Sequence, residues 1–63
     1  MKVKQLWQNE SVSDGVLIVE VRNEKGEAFD IHHLKPSQSV ITEITNPDYT
    51  VTSRFIPLEK YPL

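Results

Sequence analysis

The sequence predicts an all-β fold: a small five-stranded antiparallel barrel or sandwich with an extended, Pro-containing C-terminal tail. Three observations carry this expectation. Val, Ile and Thr recur in short bursts about 10 to 12 residues apart, with turn residues between them. No window sustains an apolar period of 3.6, so a helix has no amphipathic face to bury. Pro57 and Pro62 fall in the closing residues and interrupt any ladder there.

The first burst runs from Lys2 to Gln8. Val3 and Trp7 share one strand face, and Lys2, Lys4 and Gln8 share the other. A polar stretch from Asn9 ends in Ser13-Asp14-Gly15, a turn signal. Val16 to Arg22 is the strongest strand. Leu17, Val19 and Val21 face one way, Val16, Ile18, Glu20 and Arg22 the other, so its first half is expected to be covered on both sides. Asn23-Glu24-Lys25-Gly26 reads as a hairpin turn in which Gly26 supplies a positive φ.

The third strand, Ala28 to Leu34, places Phe29, Ile31 and His33 on one face and Asp30 and His32 on the other. Pro36 ends it, and Lys35-Pro36-Ser37-Gln38 is a short connection. The fourth strand runs from about Ser39 to Thr45, with Val40 and Ile44 opposite Ile41 and Glu43. Asn46-Pro47-Asp48 turns the chain into the fifth, Tyr49 to Ile56, whose inward set is Tyr49, Val51 and Phe55. The expected core is Val3, Trp7, Leu17, Val19, Val21, Phe29, Ile31, Val40, Ile44, Val51 and Phe55. Residues 1–56 then form one small β domain and residues 57–63 a tail or arm.

Strand, Asn23-x-x-Gly26, strand, Leu34-x-Pro36-x-x-Ser39, strand resembles the immunoglobulin-type β-sandwich modules over about half the chain. The resemblance is one of turn chemistry. It implies a fold class and no activity.

Size sets the energetic frame. For 63 residues, burial on folding contributes about 95 kcal/mol. Ordering the chain costs about the same, about 95 kcal/mol. With no cysteine there is no disulfide to add stability, so dependence on self-association is expected. The longest apolar run, Val16 to Val19, is far shorter than a membrane helix, and no signal-peptide core follows Met1. An intracellular origin is the expectation, with a virion as one destination. Seven Lys and Arg against nine Asp and Glu make a dedicated nucleic-acid binder unexpected.

Few residues could carry chemistry. His32 and His33 are sequence neighbours on a strand and so point to opposite faces, where they cannot share one metal. Asp30 and His32 share a face, as a weak ion site or a surface pair. A Ser/His/acid set assembles on paper from Ser37 or Ser39, His32 and Asp30, without a nucleophile elbow or oxyanion loop. Two glycines leave no phosphate-binding loop. Asn9-Glu10-Ser11 matches the N-glycosylation pattern, a chance match in a chain without a secretory signal. His33 becomes a pH-responsive group if it is buried beside Phe29 and Ile31.

The candidate partner-binding residues are Leu58, Tyr61 and Leu63 in the tail, with Trp7 as a core residue or an interface anchor. The tail is either a strap across its own domain or an arm onto another chain. The expected function is non-enzymatic: a structural or assembly protein acting through protein–protein contacts, such as a small accessory component of a virus particle or other multi-subunit assembly. No cofactor, metal, membrane or small-molecule substrate is expected. Two alternatives use the same strands. One is an OB or SH3-like nucleic-acid-binding barrel using Lys2, Lys4, Arg22, Lys25 and Arg54; the other is an adaptor or inhibitor of one enzyme.

Overall fold

The computed structural model describes residues 2–10 and 15–61. The chain is all-β and antiparallel throughout. Its strands are β1 (Val3–Gln8), β2 (Gly15–Arg22), β3 (Ala28–Leu34), β4 (Ser39–Ile44) and β5 (Thr50–Pro57). They form two sheets, a two-stranded β1–β4 pair and a three-stranded sheet in the order β3-β2-β5. No pairing joins one sheet to the other, so among the described residues there is no closed barrel.

The turns follow their chemistry. Gly26 has φ 82° and donates its N–H to the Asn23 carbonyl. The Asn23 side chain accepts from the N–H groups of Lys25 and Glu27, an Asx turn that returns β2 into β3. In Lys35–Gln38, Pro36 is followed by Ser37 at φ 74°, and the Gln38 N–H bonds the Lys35 carbonyl. A bulge between Val21 and Arg22 shifts the β2–β3 register.

Strand β2 is central and buried on both faces, as its two-sided apolar pattern predicts. The core is otherwise composed differently from the expectation. Val16, Ile18, Val19, Val21, Leu34 and Ile56 are the buried apolar residues. Val16, Ile18 and Ile56 form one cluster, with Tyr61 packed against it. Val3, Phe29, Ile31 and Phe55, expected inside, are largely exposed, and Trp7, Leu17, Val40, Ile44 and Val51 are half-buried. The reason is positional. β1, β3 and β5 lie at sheet edges, and each lacks a neighbour on one side to cover its ends. Parity within β5 also runs through Ile56, on the face opposite Val51 and Phe55.

The β2–β5 ladder reaches Pro57, which sits opposite Gly15 at the end of an edge strand, where its missing N–H costs no bond. Beyond it, Leu58–Lys60 wind into a single 3₁₀ turn where an extended tail was expected. Expectations for Ser11 to Asp14, Pro62 and Leu63 lie outside the described residues.

Asn9 holds the sheets in register. It follows β1 and is only 3% exposed. Its Nδ2 donates to the carbonyls of Gly15 and Leu34, at 3.2 and 2.9 Å. Its backbone N–H bonds Gln38 O, and its carbonyl accepts from Ser37 N–H. One residue thus ties the end of β1 to the start of β2, the end of β3 and the β3–β4 turn. A buried side chain cannot serve as a glycan acceptor, so the Asn9-Glu10-Ser11 match is a structural coincidence.

Candidate interaction surface

Alternation decides what each strand shows to solvent. On β1–β4, the pairs Val3–Ile44, Gln5–Thr42 and Trp7–Val40 share one face. Thr42 is buried there and accepts a 2.9 Å hydrogen bond from Trp7 Nε1. Trp7 is therefore half core, with its polar edge satisfied inside the molecule. The opposite face holds Leu6 directly across from Ile41, 57% and 65% exposed, between Lys4–Glu43 and Gln8–Ser39. Sequence reasoning placed Ile41 with Glu43 on this outer face but passed over Leu6, although parity alone puts it beside Lys4 and Gln8.

The second apolar surface lies along β3, an outer strand of the other sheet. Phe29 and Ile31 are 57% and 50% exposed on the face they share with His33. The Phe29 ring meets Tyr49 edge-on at 5.3 Å, the packing that aromatic quadrupoles favour. His33 is exposed rather than buried beside these residues. Its ring meets Tyr61 at 5.6 Å, and its Nδ1 lies 2.7 Å from the Tyr61 hydroxyl. Tyr61 thereby clips the C-terminal segment over Val16, Ile18 and Ile56 of its own chain. Leu58, three residues earlier, remains about half exposed.

Asp30 and His32 do share the other face of β3, with His32 Nε2 3.1 Å from Asp30 Oδ2. An open groove of about 450 Å³ runs beside them, lined by Ile31, His32, His33 and Leu34 on one bank and Gln38, Ser39 and Val40 on the other. Ser39 and His32 both line it, yet among the described residues no hydrogen bond joins them, and no group of three acidic, His or Cys ligands comes together.

Most of the cations named for a nucleic-acid surface face carboxylates instead. Lys2 Nζ lies 3.2 Å from Glu43. Glu20, almost buried on β2, holds Arg22 at 3.1 Å and Arg54 at 3.7 Å. Arg22 also donates to the Gly26 carbonyl at 2.8 Å, which fixes it against the β2–β3 turn. Local neutralisation of this kind lowers the field a phosphate backbone would meet. No described helix is long and apolar enough to cross a membrane. Comparison with family models, curated proteins and solved structures finds no match to this chain.

Proposed function

We propose that this chain is a non-enzymatic assembly component that works through protein–protein contacts, with its two sheets stacked as a small open sandwich. The observation that carries the reading is the exposure of Val3, Leu6, Phe29, Ile31, Ile41, Phe55 and Leu58, each between 44% and 65% accessible. Scattered exposed apolar residues are ordinary; pairs in direct register on sheet faces are less so. The overall dimensions support the same reading. A compact chain of this length has a radius of gyration of about 10.6 Å; this one has 12.4 Å. Its accessible surface is 4544 Å², against roughly 4,200 Å² for its mass.

The C-terminal segment acts in this reading as a strap through Tyr61, while Leu58 and the Leu6–Ile41 face remain open to a partner. Trp7 supports the Leu6–Ile41 face from behind rather than anchoring a partner itself. Small size and open apolar faces suit a minor component of a larger particle, a virion among them. Light scattering across a wide concentration range tests the reading. Mass rising above that of one chain supports it, and a monomer at every concentration overturns it.

A further inference from the structure

We propose that the free edge of β3 pairs with β3 of a second copy about a two-fold axis through Ile31, joining two three-stranded sheets into one continuous sheet. The inference rests on the protein-contact reading and names its partner as this chain itself.

The edges differ in how well they are protected. β1 carries Lys4, β4 carries Glu43, and β5 carries Arg54 and ends at Pro57. Charges and prolines of this kind discourage strand addition. Between Ala28 and Leu34, β3 has no Lys, Arg or Pro, and its single carboxylate is already matched by His32. Its outer side is unpaired, because β2 takes the inner one.

The register is self-complementary. Antiparallel pairing about Ile31 sets Ile31 against its own copy, Phe29 against His33, Asp30 against His32 and Ala28 against Leu34. Residues directly opposite point to the same side of a sheet. On one side, the Phe29–Tyr49 contact of one copy meets the His33–Tyr61 contact of the other, closing an apolar and aromatic strip over the exposed Ile31 residues. On the other side, two Asp30–His32 pairs become a ring of alternating carboxylate and imidazole groups. The open groove beside β3 gives the second copy's Asp30 room to reach His32. A slip by one residue sets Asp30 opposite Ile31 in one direction or His33 in the other and breaks both reciprocal Asp30–His32 pairs, so these pairs fix the register as well as the partner. Seven residues of edge make a smaller contact than the roughly 800 Å² per partner of a standard interface, and the dimer is accordingly a weak, concentration-dependent one.

The test uses two full-length variants whose like charges oppose self-pairing. One is His32→Asp. The other is the double variant Asp30→Lys with His32→Lys. Both positions carry partly exposed side chains, so the fold is expected to tolerate the substitutions, and β-type circular dichroism of each variant verifies this. Each variant alone should raise the dimer dissociation constant by about tenfold or more. An equimolar mixture should recover a one-to-one heterodimer, since every carboxylate then faces an introduced ammonium. Loss of folding cannot produce that rescue. Folded variants that self-associate like the wild type, or a mixture that stays monomeric, overturn edge pairing. The assembly reading survives that result if the wild type still associates, and both fall if the wild type is monomeric at every concentration.

Discussion

Replacing Asn9 by Ala removes the side chain that spans three strands without touching any apolar contact of the Val16–Ile18–Ile56 cluster. Two buried hydrogen bonds disappear, and the Gly15 and Leu34 carbonyls are left short of a donor in sites that are themselves buried. Each bond contributes about 1 kcal/mol net, and an orphaned buried acceptor adds to the loss, for a total of about 2–3 kcal/mol. A domain of this size has about 3–9 kcal/mol of stability altogether. The unfolding entropy of a chain this short converts the loss into a fall of about 15–20 °C in melting temperature. Thermal and urea unfolding followed by far-UV circular dichroism measure it. Asn9→Asp provides the control for shape: it keeps the size but cannot donate, so it should be at least as damaging as Ala. A melting temperature within about 2 °C of wild type for either variant refutes the argument that donation from Asn9 locks the sheets.

Deleting residues 58–63 uncovers Val16, Ile18 and Ile56 and should lower the melting temperature equally at every protein concentration; unchanged stability with lost association would make the segment an arm instead. Gly26→Ala should cost about 1 kcal/mol by urea unfolding, because φ is 82° there and no neighbour crowds a Cβ, with Gly26→Asn costing less. At Gly15 the added Cβ falls on the Phe55 ring, so Gly15→Ala should destabilise the wild type yet be nearly neutral with Phe55→Ala; a double-mutant cycle with no coupling rejects this. Binding to single-stranded DNA should be weak and lost in moderate salt, and a fluorescence anisotropy titration in which tight binding persists would favour a nucleic-acid-binding role.

Strand existence and boundaries were largely readable, because bursts such as Val16–Val21 and turns such as Asn23–Gly26 are encoded in neighbouring residues. Which face ended up inside was not. Parity says that Phe29 and Ile31 share a face, but whether that face is covered depends on β3 being an edge strand, which is set by pairing between distant residues. Ile56 and Leu34 became core on two edge strands because Ile56 pairs with Val16 in the buried cluster and Leu34 lies where the ends of β1, β2 and β3 converge. Asn9 read as loop because asparagine is a loop residue almost everywhere. Its role arises only when the ends of β1, β2 and β3 converge. The candidate surface follows the same division: parity put Asp30 with His32 and put Leu6 and Ile41 on the polar face of β1–β4, whereas the exposure of Phe29 and Ile31 required knowing how the sheets lie.

The strand pairings interleave along the chain. β1 waits for β4, and β2 waits for β5, so each sheet needs a piece of both halves. During synthesis only the β2–β3 hairpin can close early, and both remaining ladders must await the last third of the chain. A cut in the Lys35–Gln38 turn leaves neither fragment able to complete a sheet, yet the two fragments together carry every pairing. The chain therefore either folds as one cooperative whole or reassembles from halves, and two intact copies could exchange β4 and β5 by the same route.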